Sequence, residues 1–418
     1  MKVLISAYSC EPGRGSERGV GWNVACEVAK HHEVWVLTRP DESKTAIEAE
    51  LAVHPMPNLH FVYFTMPFWQ DSMRLGQSGA MQLHYYLWQV QAYFVGRRLH
   101  KEIGFDIVHH VTFVKYSAPS LLSFLPVPFV WGPVGGGESA PGKFWKDFSL
   151  RARLYELARD MVRNIGQRDP LVGLTIRNSA VVRATTDDTA SRLYSMGASQ
   201  VDIVPEVGLL DEEISALNQF PLDPSPTIRF ISMGRLLHWK GFHLGIKAFA
   251  QAGIADAEYW LVGDGPELAN LKRLAVECGV ADKVKFWGRL SREDTLERLG
   301  ESHVLVHPSL HDSGGWVCVE AMASGRPVIC LDLGGPAIQV TEETGFKVAA
   351  QTPAQSVQDM AVVMQKLARN PELRILMGET GRQRVDQLFS WKAVGRRLNE
   401  LYQKTATTTS TALSQPLS

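Results

Sequence analysis

Short apolar runs rich in β-branched and aromatic residues recur along this chain, each followed by a stretch whose apolar positions repeat at helical spacing. KVLISAY leads into GVGWNVACEVAKHH, and EVWVLT, HFVYF, DIVHHV, FVWGPV and AVVRAT follow. Strands alternating with helices imply parallel βαβ units, since parallel strands need a crossover long enough to hold a helix. The pattern halts at FPLDPSPT, residues 220–227, and resumes with IRFISMGRL, EYWLVGDG, VKFWGRL, SHVLVHPSL, PVICLDLGG and GFKVAA. The chain therefore reads as α/β, with two doubly wound domains, 1–205 and 206–390, joined near 204–227. WKAVGRRLNELYQK, residues 391–404, predicts a last helix. The Ser/Thr-rich TATTTSTALSQPLS, 405–418, has little to bury and is expected to be a disordered tail.

A length of 418 residues suits two domains of roughly 100 to 200 residues each. Lys plus Arg (43) balances Asp plus Glu (44), so no overall field favours nucleic acid. Cys10, Cys26, Cys278, Cys318 and Cys330 are scattered, with no C-x-x-C, which argues against a disulfide framework or zinc site and for a reducing compartment. The N-terminus shows no signal-peptide pattern, and no window approaches the roughly 20 apolar residues of a membrane span, so a cytoplasmic protein is expected. Residues 81–101 and 142–168 mix aromatic, aliphatic and basic residues. They read first as helices packed on a sheet, with contact to an anionic membrane surface as the alternative.

In doubly wound sheets, ligands sit beyond the carboxyl ends of the strands, which directs attention to the loops there. CEPGRGSERGVGWN has Gly13 and Gly15 in G-x-G spacing, but Arg18 stands at the third fingerprint position and the second strand ends in Thr38 and Arg39, without an acid for ribose hydroxyls. Dinucleotide binding is disfavoured. Two readings remain: a turn capped by Ser16, with Glu17 favouring the helix dipole, or backbone amides near Ser16 facing a phosphate. LVGDGPE, containing Gly263, permits close backbone approach to a ligand but is also ordinary turn chemistry. Neither loop matches a P-loop.

GRLLHWKG places Gly234 and Arg235 at a strand end and Lys240 where a helix should begin, a forked donor and a mobile cation suited to a diphosphate. Three strands later, in LHDSGGWVCVEAMASGRPVI, Asp312 precedes a helix expected near Gly315, and Glu320 falls in its second turn. The amides of Gly315, Trp316 and Val317 would then be unpaired donors at the helix's positive end, suited to phosphate. Glu320 suits a pair of ribose hydroxyls, leaving Asp312 for a sugar. Simpler readings are a helix-start acid for Asp312 and a solvated residue for Glu320, although Glu320 lies among apolar neighbours.

GRLLHWKG, LVGDGPE, VKFWGRL, VHPSLHDSGGWVCVEAMASGRPVI and TGFKV, in that order, resemble the nucleotide-sugar domain of retaining glycosyltransferases of family 4. The family's fold is GT-B, two Rossmann-like domains facing a central cleft. Its acid pair is E-x7-E; here Asp312 replaces the first Glu, and Gly314 stands where an aromatic residue is common. The resemblance implies that Arg235 and Lys240 bind the donor diphosphate and Glu320 the ribose. Backbone around Trp287, Gly288 and Arg289 would meet the base. Asp312 and the amides of Gly314, Gly315, Trp316 and Val317 would meet sugar and phosphate. Gly15, Ser16 and Glu17 would cover the phosphate, and the last helix would cross back to the N-terminal domain.

Many relatives carry a His after the strand matching FVWGPV, where this chain has Trp131, Gly132 and Pro133. His109, His110 and Glu138 are then the candidates facing an acceptor. The implied reaction moves a hexose from a UDP- or GDP-linked donor to a saccharide, lipid-linked or small-molecule acceptor, in glycan, exopolysaccharide or glycolipid assembly. No metal or other cofactor is expected, because the chain has no Asp-x-Asp and cationic side chains take the place of Mg²⁺. The competing readings are a nucleotide-sugar binding protein without transfer and a GT-B epimerase.

Overall fold

The computed structural model describes residues 1–66, 69, 79–223 and 225–414. The chain begins with β1 (Lys2–Ala7), α1 (Ser16–Ala29), β2 (Glu33–Thr38), α2 (Pro40–Val53), β3 (Leu59–Tyr63), α3 (Gly79–Ile103), β4 (Ile107–Thr112) and β5 (Phe129–Val134). It continues with α4 (Leu150–Gln167), α5 (Pro170–Asn178), β6 (Val181–Ala184), α6 (Asp187–Ser195) and a two-residue β7 (Asp202–Ile203). These strands form one parallel sheet in the order β3-β2-β1-β4-β5-β6-β7. β4 and β5 are buried along their whole length, as runs covered by helices on both faces should be.

The pattern then repeats with α7 (Asp211–Asn218), β8 (Ile228–Met233), α8 (Phe242–Ala252), β9 (Ala257–Val262), α9 (Leu268–Glu277), β10 (Val284–Gly288) and α10 (Arg292–Gly300). After these come β11 (Val304–His307), α11 (Trp316–Ala323), β12 (Val328–Leu331), α12 (Gly334–Gln339), β13 (Gly345–Val348), α13 (Pro353–Arg369) and α14 (Pro371–Arg384). The second sheet is parallel, ordered β10-β9-β8-β11-β12-β13. β8 and β11 lie side by side although three helices and two strands separate them in sequence. Strand order reverses there, and the crevice at their carboxyl ends is where such sheets take ligands. Both sheets are the doubly wound, Rossmann-like arrangement expected from the alternating pattern.

The chain divides into two compact units: residues 1–137, 160–206 and 391–418, and residues 138–159 with 207–390. The division falls within α4, so residues 138–159 pack with the second unit although a single N-terminal domain of 1–205 was expected. The cause is local hydrophobicity: Ala140, Phe144, Phe148 and Ala152 are buried in the same apolar cluster as Phe230, Phe242 and Leu244. α15 (Trp391–Ser414) returns to the first unit, where Tyr402 is fully buried and hydroxyl-bonded to His109.

The expected disordered tail is corrected in part, because α15 runs through residues 405–414. Thr405 and Thr407 hydroxyls bond back to the Leu401 and Gln403 carbonyls, which satisfies these polar side chains within the helix. The remainder of that expectation, residues 415–418, lies outside the described residues, as does residue 224 of the joining segment.

The turn into α8 needs a glycine for two independent reasons. Gly241 has φ +66°, and a Cβ there would overlap the Pro308 carbonyl oxygen. Gly241→Ala should therefore destabilise the protein by about 2 kcal/mol or more, from left-handed strain plus the clash. Denaturant unfolding of the two proteins measures this; unchanged stability would contradict the close approach of these two loops.

Candidate functional site

Carboxyl-end loops of β8 and β11 meet in an ion pair within the second unit. Lys240 Nζ lies 2.5 Å from Asp312 Oδ2, and His307 Nε2 lies 3.2 Å from the same oxygen. The other oxygen, Oδ1, accepts from the Gly315 amide at 3.2 Å, and the Asp312 carbonyl accepts from the Gly335 amide at 2.8 Å. Burial alone would raise the Asp312 carboxyl; the Lys240 ammonium and the His307 hydrogen bond outweigh it and hold the group well below the usual carboxylate range. Burial also lowers His307, with Lys240 adding to that effect and Asp312 opposing it.

α11 starts at Trp316, one residue beyond the Gly315 expected from sequence. The Gly315 amide is already taken by Asp312, which corrects the expectation that it is an unpaired donor. Asp312 thus combines a helix-start role with its pairing to Lys240. Gly314 offers no side chain, and its carbonyl accepts from the Gln339 amide group. Arg235 is exposed; its carbonyl accepts from the Leu237 amide at 2.8 Å, while its guanidinium, among the described residues, has no hydrogen-bond or ion-pair partner at the end of β8. Gly263 packs against Gly234, and its amide donates to the Gly288 carbonyl at 2.8 Å, drawing the ends of β8, β9 and β10 together.

Glu320 is buried and not solvated. Its Oε1 takes a hydrogen bond from Arg292 at 2.8 Å, and Arg292 also reaches Glu213 Oε1 at 2.7 Å. Burial raises the Glu320 carboxyl while Arg292 works against the rise. Trp287, partly exposed, stands edge-on to Trp260 at 5.3 Å with the Arg298 guanidinium over its ring at 4.9 Å; Arg289 is exposed beside it. The structure thus gathers Gly234, Arg235, Lys240, Gly263, Trp287, Gly288, Arg289, Asp312, Gly314, Gly315, Trp316, Val317 and Glu320 on the carboxyl-end loops of one sheet and the helices they lead into.

In the first unit, Gly15 caps α1 and no side chain performs that role, so Ser16 is not the cap. Arg18, which breaks the dinucleotide fingerprint, bonds Glu11 at 2.8 Å, and Arg14 bonds the same carboxylate at 3.0 Å. Glu17 Oε2 accepts from the Phe113 amide at 2.6 Å, tying this loop to the end of β4; burial raises its carboxyl.

Two acceptor-side expectations need correction. His109 and His110 are 1% and 0% exposed because β4 continues to Thr112 and encloses both. His109 bonds Tyr402 Oη at 2.5 Å and the Gly132 carbonyl at 2.6 Å, and His110 Nε2 lies 3.1 Å from the Thr112 carbonyl. Burial lowers them to about 3 and about 4, so both are neutral packed rings, unable to face an acceptor. Glu138 belongs with the second unit: it is 2% exposed and its Oε2 accepts from Ser313 Oγ at 2.6 Å, next to Asp312.

Sequence reasoning missed His307, Arg292 and Ser313. A His ending a strand five residues before Asp312 was a usable signal for the first; nothing local marks Arg292 as the partner of a residue 28 positions away.

The class follows from this arrangement: the fold is GT-B. Anabaena HepE, solved with UDP and glucose, superposes with a TM-score of 0.61 at 18% identity, covering 97% of this chain and 100% of that one. The lipopolysaccharide outer core galactosyltransferase WaaB superposes at 0.63 with 12% identity, covering 97% and 100%. Residues 216–384 match the family model of glycosyl transferases group 1. Among curated relatives, the 2-deoxystreptamine glucosyltransferase of Streptomyces kanamyceticus is 30% identical over 210 residues, 47% of this chain and 53% of that protein. A GDP-mannose-dependent phosphatidylinositol monomannoside mannosyltransferase of Corynebacterium glutamicum is 34% identical over 190 residues, 43% and 48%. The chain spans about half the length of these two relatives.

The Lys240–Asp312 pair sets an acid limit on stability. The Asp312 carboxyl is depressed on folding, so its contribution is complete above the unfolded value near pH 4 and fades as pH falls toward the folded one. Asp312→Asn should cost about 2 kcal/mol at pH 7, with the gap to the native protein narrowing at pH 3. Urea unfolding at both pH values checks this; an equal gap at both would disprove the assigned protonation.

Proposed function

We propose that this chain is a retaining glycosyltransferase that moves a hexose from a nucleoside diphosphate sugar to a hydroxyl acceptor in glycan, exopolysaccharide or glycolipid assembly. The observation that carries the reading is the pairing of Lys240 with Asp312 just before α11, where the carboxyl-end loops of β8 and β11 meet, with Arg235 exposed on the same β8 loop, inside the segment matching glycosyl transferases group 1. Similarity to a glucosyltransferase and a mannosyltransferase, and to a fold solved with UDP, supports a UDP- or GDP-linked hexose.

Lys240 is held by Asp312 before a donor arrives. An incoming diphosphate competes for that ammonium, and Arg235 adds a forked donor. Asp312, still fixed by His307 and the Gly315 amide, is left to accept from sugar hydroxyls. Glu320 accepts from the ribose, with Arg292 behind it limiting the cost of burying its charge. As the glycosidic bond breaks, charge gathers on the departing β-phosphate, where Lys240, Arg235 and the positive end of α11 stabilise it more than they do the intact donor. In a front-face route the departing phosphate oxygen takes the acceptor proton, and the acceptor enters on the face the donor leaves. This route gives retention and needs no protein base, which agrees with the burial of His109 and His110.

Incubating UDP- and GDP-hexoses with the protein, with and without an acceptor panel, should release nucleoside diphosphate. No turnover of any donor would refute the enzyme in favour of a binding protein, and isomerised donor without release would indicate an epimerase. Lys240→Ala should lower kcat about 100-fold, the scale of removing one transition-state donor. Glu320→Ala should act mainly through the donor KM. Near-normal transfer by both variants would refute the site.

We further propose peripheral contact with an anionic membrane. No helix among the described residues is long and apolar enough to cross one. α4 nevertheless exposes Leu150, Leu154, Leu157, Met161 and Ile165 at helical spacing, with exposed Arg151 beside them. Co-sedimentation with phosphatidylglycerol vesicles should exceed that with phosphatidylcholine and fall on Leu154→Ser with Leu157→Ser; indifference to either change would refute this contact.

A further inference from the structure

Glu156 of α4 is a buried carboxylate to which the transfer chemistry assigns no task. It is 0% exposed, and a carboxylate so placed needs partners for its charge. Oε1 accepts from His238 Nε2 at 2.9 Å and His311 Nε2 at 3.3 Å, and Oε2 from Arg159 at 3.1 Å. Arg159 also approaches His311 Nδ1 at 3.4 Å. A guanidinium can only donate, so Nδ1 is the accepting nitrogen of His311 and Nε2 carries the proton. Burial pushes the Glu156 carboxyl up, but the two imidazole hydrogen bonds outweigh it and hold it well below the usual range, so it stays ionised at neutral pH.

The two imidazoles sit on the two loops of the candidate site. His238 lies between Arg235 and Lys240, and His311 immediately precedes Asp312. The indole of Trp239 is stacked between Tyr155 and His311, with ring centroids 5.3 and 5.2 Å away and interplanar angles of 7° and 17°. The Leu310 amide donates to the Trp239 carbonyl at 2.7 Å. Glu138, at the start of the same 138–159 segment, holds Ser313 on the other side of Asp312. An excursion from the first half of the sequence thus braces the loops after β8 and β11, with one carboxylate spanning the pair.

We infer that Glu156 is a positioning residue of the donor site: by holding His238 and His311 on one carboxylate it sets the spacing of the β8 and β11 loops, and so the placement of Lys240 against Asp312 and a bound diphosphate. This rests on the donor-site reading above. Glu156 touches no reacting atom, and its effect passes through Lys240.

The test is a double-mutant cycle on the full chain, with UDP and GDP titrated calorimetrically. Glu156→Gln keeps the shape and one acceptor oxygen but removes the charge shared by the two rings. It should weaken binding of the preferred diphosphate about tenfold in the native background and less than about twofold beside Lys240→Met, the non-additivity expected of coupled sites. Equal losses in both backgrounds, or no loss in either, would overturn the positioning role. If Glu156→Gln does not fold, His238→Gln, which removes one arm of the brace, replaces it in the cycle with the same expected coupling. Failure of the unaltered protein to bind either diphosphate would overturn the donor-site reading and this inference together; binding with additive effects would overturn the brace alone.

Discussion

The side-by-side pairing of β8 with β11, through Phe230 against Val304 and Ile231 against Leu305, is the constraint on which the second unit's chemistry depends. Parallel strands end on the same side, so this pairing brings a cation and a carboxylate 72 residues apart in sequence to 2.5 Å. Everything nearby serves that meeting. Gly241 lets its loop touch the one carrying Pro308, Gly263 lets β9 close against Gly234, and Asp312 holds the amide of Gly315, the residue just before α11.

Charges in this unit come with prearranged counterparts. Asp312 has Lys240 and His307, Glu320 has Arg292, and Glu156 has two imidazoles and a guanidinium. In the proposed transfer, donors and acceptors fixed in this way would need little reorganisation as charge develops on a departing phosphate, which is where electrostatic catalysis gains most. The Arg235 guanidinium is exposed and without a partner among the described residues, which leaves it open to an anion under the proposed function. Under the proposed function, the pairing of Lys240 with Asp312 would also offset the repulsion between a diphosphate and the two carboxylates of this unit.

In the first unit the same topology gives a different result. Arg18 and Arg14 close on Glu11, and Glu17 is spent on the Phe113 amide, so the glycine loop is tied by its own side chains. The burial of His109 against Tyr402, contributed by α15, shows how the last helix consumes a polar group that adjacency in sequence had left open. Reading those histidines from sequence failed because a strand's length decides whether its residues end in a crevice or inside a sheet, and β4 runs two residues past His110.

Periodicity alone determined the two parallel sheets, because strands buried on both faces must be written in apolar residues and their crossovers in helical spacing. Local spacing also determined where Arg235, Lys240, Asp312 and Glu320 would fall, since loop and helix positions follow from chain geometry within a few residues. Only the tertiary structure decided which groups face each other. Arg292 with Glu320, Glu138 with Ser313, and Glu156 with His238 and His311 join segments far apart in sequence, and no local pattern encodes such pairings. The same holds for residues 138–159. They joined the second because Phe144 and Phe148 found their complement in its apolar cluster, a choice made by packing between distant elements.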